Sequence, residues 1–268
     1  DTLGGYDRNR IAPLEQLLSK PMKPQSFIQL LLLLPLLWTD GVWARQCAEY
    51  DYDLRSQAAV DALGQTGCTF VSGFLRIQGS TDITNLGKLT GITTVNNLEI
   101  VYNDSLANLD GLGNLTSVFG DLTIMANAVL NDVDGLNNLT QVGGSFFIEL
   151  NPALTDLDGL SNLTSVEGEL DIRTNDNLIN LDGLSGLKSV AYLSLIENYG
   201  LSNIDGLRNL TSSEGGLHIQ LNDSLFDCEG IVQLLEGFRG KLTLDSEQYI
   251  AVNLNATGCN SVMEILDK

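Results

Sequence analysis

Apolar residues recur along this chain on two periods at once. Leu75, Leu98, Leu122, Phe146, Leu170, Leu193, Leu217 and Leu242 follow one another at intervals of 23 to 25 residues. Two positions after each stand Ile77, Ile100, Ile124, Ile148, Ile172, Leu195, Ile219 and Leu244. Apolar–polar–apolar spacing marks a short strand with one buried face. A fixed period of this length marks stacked units, because no single unit can bury its own apolar residues and neighbours must share one interior. After each strand, apolar residues return at every third position, as in Leu154, Leu157, Leu160, Leu163 and Val166. That spacing suits tight turns, short extended pieces or 3₁₀ segments rather than full α-helices. The expected fold is mainly β, a parallel β-helix or leucine-rich-repeat-like solenoid of about seven to eight coils, flattened, with two or three parallel sheets.

Polar residues also fall into columns. Five positions after the first strand leucine stand Asn103, Asn127, Asn151, Asn175, Asn198 and Asn222, with Ser80 in the first unit. An amide carries donors and an acceptor, so an inward column of this kind is read as a ladder satisfying buried backbone groups. A second column, Asp110, Asp134, Asp158, Asp182 and Asp205, always precedes Gly-Leu. Each Asp is expected to bond a turn N–H beside its glycine; a calcium-binding ladder is the other reading, and it lacks the Gly-Asp nonapeptide pattern of calcium rolls.

Ends and compartment come from different signals. Lys23, an apolar run Phe27–Trp38 and the short residues Val42 and Ala44 predict a secretory signal peptide over 22–44, cut after Ala44, preceded by an extension at 1–21. The run has twelve positions, with Gln29 and Pro35 among them, against about 20 apolar residues for a membrane span, so no transmembrane span is expected in the visible chain. Four cysteines follow the cut, two near each end. Pairing Cys47 with Cys68 and Cys228 with Cys259 avoids bringing the ends of an elongated body together, and an exported chain oxidises such pairs. No Cys-x-x-Cys spacing occurs, so no metal site is expected. The domain plan is an N-terminal disulfide cap with a helix within 45–72, repeats over 73–227, and a C-terminal cap over 228–268 with a helix near Ile231–Leu235, the last coil and the second disulfide.

The net charge of −20, from 34 acidic and 14 basic residues, excludes partners with phosphate backbones, which need clustered Lys and Arg. One histidine, His218, leaves little acid–base chemistry.

Cys47 is followed 21 residues later by Cys68-Thr-Phe-Val-Ser-Gly-Phe-Leu-Arg-Ile77, and Leu-Asp-Gly-Leu and Leu-Thr-Ser-Val phrases recur, as in 157–166. Over 47–259 these residues resemble the receptor L domain, the leucine-rich module of insulin- and EGF-type receptor ectodomains and of fungal cell-wall proteins. The resemblance implies a right-handed coil and a recognition role outside the cell. The cysteine-rich region, membrane span and kinase of those receptors have no counterpart here, so signalling is not carried over.

Function is expected on the outward strand positions, which packing leaves free to vary. One row runs Arg76, Glu99, Thr123, Phe147, Asp171, Ser194, His218; the next runs Gln78, Val101, Met125, Glu149, Arg173, Ile196, Gln220. Phe147 and Met125 with Arg173 and Tyr192 nearby, rimmed by Glu149 and Asp171, have the composition of an interface centre. The expected partner is an extracellular protein or glycan, bound by a secreted or cell-surface protein without a cofactor. A structural wall or matrix glycoprotein is the second reading. The third, a polysaccharide-active enzyme, rests on Glu149, Glu169 and Asp171 lying together, but no nucleophile–base pair accompanies them. Of seven Asn-x-Ser/Thr sequons, Asn103 and Asn222 fall in the inward column. Asn114, Asn138, Asn162, Asn209 and Asn255 are the candidate glycan acceptors.

Overall fold

The computed structural model describes residues 45–238, 249–253 and 255–266. The segments 1–21 and 22–44, and the leucines Leu242 and Leu244, lie outside the described residues. The repeat becomes a sheet because like residues one period apart pair in parallel. Leu75 pairs with Leu98, Leu98 with Leu122, Leu122 with Phe146, Phe146 with Leu170, Leu170 with Leu193 and Leu193 with Leu217. These columns are 0% exposed, and each fully buried Leu or Ile contributes about 1.5–3 kcal/mol of transfer free energy.

The strands are β1 (Tyr52–Leu54), β2 (Phe70–Ser80), β3 (Thr94–Asn103), β4 (Ser117–Val118), β5 (Leu122–Met125), β6 (Gln141–Val142), β7 (Phe146–Glu149), β8 (Ser165–Arg173), β9 (Ser189–Ile196), β10 (Ser212–Gln220) and β11 (Tyr249–Asn253). All pair in parallel, in one sheet of 11 strands. A second run of pairing, through Val95, Val118, Val142, Val166 and Val190, precedes the main strands, separated from them by a register shift such as that between Val166 and Glu169. The expected two or three sheets are therefore one sheet with a bend among the described residues. The far side carries 3₁₀ turns, which begin at Asp110, Asp134, Asp158, Asp182 and Asp205.

Those turns correct the reading of the aspartate column. The N–H of each Asp is accepted by the side chain two residues earlier, from Asn108 to Asp110, Asp132 to Asp134, Asp156 to Asp158, Asn180 to Asp182 and Asn203 to Asp205, at 2.9–3.3 Å. Asn85 and Asp227 serve Gly87 and Glu229 in the same way. The glycine after each Asp permits close stacking: a Cβ on Gly135 or Gly183 would lie 1.8 Å from the preceding coil's Leu109 or Leu157 carbonyl oxygen.

The asparagine column forms a continuous ladder, each member 0% exposed. Asn151 Oδ1 accepts from the backbone N–H of Asn127 at 3.1 Å and from its Nδ2 at 3.2 Å. Asn151 Nδ2 donates to the Ile124 carbonyl at 3.0 Å, to that of Glu149 at 2.9 Å and to Asn175 Oδ1 at 3.3 Å. Asn127, Asn175, Asn198 and Asn222 repeat the pattern; Asn103 donates in the same way to the Ile77 carbonyl, but its Oδ1 has no partner among the described residues. Asn255, expected as a glycan acceptor, is instead the next rung: it accepts from the Asn222 N–H at 3.1 Å and donates to the Ile219 carbonyl at 3.2 Å. The residue before each rung takes a left-handed backbone: Gly79, then Tyr102, Ala126, Leu150, Thr174, Glu197 and Leu221, with φ between 54° and 62°.

Each end of the sheet carries a helix and a disulfide. Residues 52–54 form a strand, with Leu54 pairing beside Ile77. The helix α1 (Gln57–Gln65) starts at Ser56, whose side chain accepts from the Ala59 N–H. Disulfides join Cys47 to Cys68 and Cys228 to Cys259, with Cα atoms 4.9 Å and 5.6 Å apart. At the other end α2 (Val232–Phe238) and α3 (Val262–Leu266) flank β11. Ile250 and Val252 of β11 pair with Leu217 and Ile219, the sheet positions that the spacing had given to Leu242 and Leu244. The α2 insertion lengthens this last unit.

Candidate functional site

The outward rows lie side by side as the alternation requires. Phe147 pairs with Thr123 on one side and Asp171 on the other; Glu149 pairs with Met125 and with Arg173. Glu169 pairs with Tyr192. Phe147, Glu149, Glu169, Asp171 and Arg173 thus occupy two adjacent strands, and Tyr192 the next. Met125 and Tyr192 stand three strands apart, about 14 Å at the usual strand spacing, and do not join one cluster. Met125 is diagonal to Phe147 and borders an exposed apolar edge with Tyr102, Val129 and Leu150, which are 58%, 43% and 46% exposed.

Asp171 departs from a simple outward position. Its side chain is only 4% exposed, and its Oδ2 accepts from Arg173 Nη2 at 2.5 Å. Asp171 Oδ1 and Arg173 Nε are buried and have no hydrogen-bond partner among the described residues. Burial pushes the Glu149 and Glu169 carboxyls above their usual range, repulsion from Asp171 adds to it, and Arg173 opposes it. Further along, His218 Nε2 lies 2.6 Å from Gln220 Oε1.

The N-terminal end of the same face is balanced. Arg76 Nε meets Glu99 Oε2 at 3.1 Å, and its guanidinium lies 3.9 Å over the Phe74 ring. The Gln78 amide and Arg55 both donate to Asp53 at 2.9 Å, which holds that carboxyl below its usual range, the Gln78 bond contributing most.

Elsewhere, Asn114, Asn138, Asn162 and Asn209 are exposed on a different edge. Each donates its Nδ2 to a carbonyl of the preceding coil, at 2.6–2.8 Å. Near α2, a recess of about 170 Å³ is lined by Arg208, Glu229, Gly230, Val232 and Gln233, smaller than the usual small-molecule site. Among the described residues, no group of three or more His, Cys, Asp or Glu side chains could hold a metal ion, and no helix is long and apolar enough to cross a membrane.

Sequence reasoning placed Glu149, Glu169 and Asp171 together through the period-two alternation. It missed the burial of Asp171, whose side chain is only 4% exposed. It also missed the Asn/Asp column two residues before each 3₁₀ turn, although every member is Asn or Asp. Comparison with known proteins adds nothing to this geometry: no family model matches the chain, and no curated protein matches it significantly.

Proposed function

We propose that this chain is a non-enzymatic recognition module of the receptor L-domain type, a right-handed coil of seven to eight units acting outside the cell. It binds an extracellular protein or glycan through the outward face of its sheet. The observation that carries this reading is the contrast within that face. Arg76 and Glu99 pair one to one, whereas next to Phe147 the Arg173–Asp171 pair stands among Glu149 and Glu169, whose carboxyls burial and the Asp171 charge push above their usual range. An aromatic ring and an arginine set among carboxylates have the composition of an interface centre. Two disulfides fit an oxidising compartment. The test is to express the full chain through a secretory pathway and screen it by biolayer interferometry against cell-surface proteins and glycans. Saturable binding that is lost in Phe147→Ala/Arg173→Ala is the expected result. Binding untouched by that double substitution moves the site off this face.

A further inference from the structure

Among the described residues, every exposed large hydrophobic apart from Tyr50 stands on the turn that follows the main strands, one in each successive coil: Tyr102, Val129, Leu150, Ile179, Tyr199 and Phe226. The fold does not ask for them there. Tyr102 and Leu150 occupy the left-handed column, each with φ of 57°, where neighbouring coils carry Ala126, Thr174 and Glu197. A bulky side chain is disfavoured in that region, and at 58% and 46% exposure neither is held by packing. Charge is distributed just as unevenly. The turns 126–131 and 150–155 contain no charged residue, and none of the turns from 79–84 to 221–226 contains Lys or Arg. On either side of the uncharged turns stand the exposed carboxylates of Asp104 and Asp176, which enter no ion pair among the described residues. The basic residues that border the turns, Arg55 beside Gly79 and Arg173 before Thr174, already pair with Asp53 and Asp171. The edge is thus an apolar centre between acidic rims with no cation of its own.

We infer that this turn edge, centred on Tyr102, Val129 and Leu150, docks a segment of a protein partner in which a few apolar residues separate two basic ones. From the coil of Asp104 to that of Asp176 is three strand spacings, about 14 Å, the length of about four extended residues. Apolar side chains of the segment cover Val129 and the step over Ala126 between Tyr102 and Leu150, and its flanking cations reach Asp104 and Asp176. A second copy of this chain fits poorly. A stable interface covers about 800 Å² on each partner, several times the area of the uncharged centre, so two copies would set acidic rim against acidic rim. A glycan fits poorly as well, because the amides within the centre, Asn127 and Asn151, are 0% exposed and committed to the ladder. The charge of −20 on the chain repels an anionic membrane surface. The inference goes beyond the recognition reading, since it concerns the turn edge and not Phe147 and its neighbours on the strand face.

The probe is a fluorescein-labelled peptide, Lys-Leu-Ala-Val-Leu-Lys, titrated with the full chain by fluorescence anisotropy at about 0.15 M salt, beside the same peptide with glutamate in place of both lysines. Three double variants are compared. Val129→Ser/Leu150→Asn removes the apolar centre, and asparagine tolerates the left-handed backbone at 150, so lost binding is separated from lost folding by the melting temperature. Asp104→Asn/Asp176→Asn removes the rims. Asp134→Asn/Asp158→Asn removes the same charge on the 3₁₀ side. Saturable binding of the lysine peptide is expected, weakened about tenfold or more without the apolar centre, about threefold without the rims, and less than about twofold by the 3₁₀ pair. The glutamate peptide is expected to bind more weakly than the lysine peptide to the unaltered chain. Failure of the lysine peptide to bind, binding that survives Val129→Ser/Leu150→Asn, or equal binding of the two peptides overturns the proposal. Equal weakening by the two aspartate pairs does so too, because it shows that the peptide reads overall charge. Sedimentation velocity adds one more outcome: dimers that Val129→Ser/Leu150→Asn dissolves would make a second copy the occupant and overturn the heterologous partner.

Discussion

Replacing Asn151 by alanine tests whether the asparagine ladder is a principal support of the coil. Asn151 is 0% exposed, and its side chain takes part in five hydrogen bonds with its own and adjacent coils. Alanine leaves the Asn127 N–H and the Ile124 carbonyl without these partners. Both lie in a dry interior, since Asn127 and Ile124 are also 0% exposed. At about 1–3 kcal/mol for each orphaned group, the expected loss is about 3–5 kcal/mol, near the upper end for a single substitution. Asn255, the half-buried last rung, supplies the internal comparison. Water can replace its amide, so Asn255→Ala is expected to cost about 1 kcal/mol. Asn151→Asp sharpens the test by keeping an acceptor for Asn127 while turning a charged oxygen toward the Ile124 and Glu149 carbonyls. It is expected to be at least as damaging as alanine at neutral pH, and partly rescued on acidification, when protonation restores a donor. Urea unfolding followed by far-ultraviolet circular dichroism gives the free energies, provided the slope with denaturant is unchanged. A loss below about 1 kcal/mol for Asn151→Ala, or one equal to that of Asn255→Ala, would refute the reasoning.

Gly183→Ala places a Cβ 1.8 Å from the Leu157 carbonyl oxygen and is expected to cost more than about 3 kcal/mol. Gly237→Ala, in α2 with nothing within 4 Å, should gain about 0.5–1 kcal/mol; a similar effect at both sites in urea melts would remove the close-stacking argument. Leu150 is 46% exposed and has φ of 57°, so Leu150→Asn should raise stability by about 0.5–1 kcal/mol, because asparagine tolerates the left-handed region. A measured loss would mean that the leucine covers apolar surface. Glu149, Glu169, Asp132 and Asp158 are all held above their usual range, burial being the first cause in each and neighbouring carboxylates a further one. The folded chain therefore binds more protons than the unfolded chain between the ordinary and raised values. Stability from these groups should rise as pH falls from neutrality through their raised values toward the ordinary carboxylate range, and be lost as pH rises again. Differential scanning calorimetry at constant ionic strength checks the sign, and a melting temperature that falls steadily across that window contradicts it.

The fold was legible where one physical constraint acts on every copy of the repeat. Each coil must bury the same strand positions against its neighbours, so leucine and isoleucine columns announce the sheet. Each coil must also satisfy the same buried carbonyl, so the asparagine column announces the ladder. Legibility failed where the constraint does not choose a residue type. The left-handed column contains Tyr102, Ala126, Leu150, Thr174, Glu197 and Leu221, which share no chemistry; stacking imposes their conformation, and only Gly79 at its start hints at it. At the last unit the sheet positions beside Leu217 and Ile219 belong to Ile250 and Val252, because α2 lies between β10 and β11 and lengthens that unit. The aspartate column misled because Asp-Gly-Leu is the more regular phrase, while Asn and Asp alternate freely at the position that caps the turn. Either side chain offers the one acceptor needed there.

The same reasoning separates the middle of the outward face from its ends. Outward strand positions carry no shared packing constraint, so a locally balanced arrangement such as Arg76, Glu99 and Phe74 needs no explanation beyond the fold. Asp171 does, because it is a carboxylate only 4% exposed at a position that the repeat leaves free. A serine at that position, as Ser194 provides on the next strand, would remove the charge and leave the leucine and isoleucine columns intact. The repeat therefore does not require the pair that Asp171 makes with Arg173. Removing Asp171 alone strands the Arg173 guanidinium, so Asp171→Ser is expected to cost more in urea melts than Asp171→Ser/Arg173→Ser; equal losses would show that Arg173 needs no partner there.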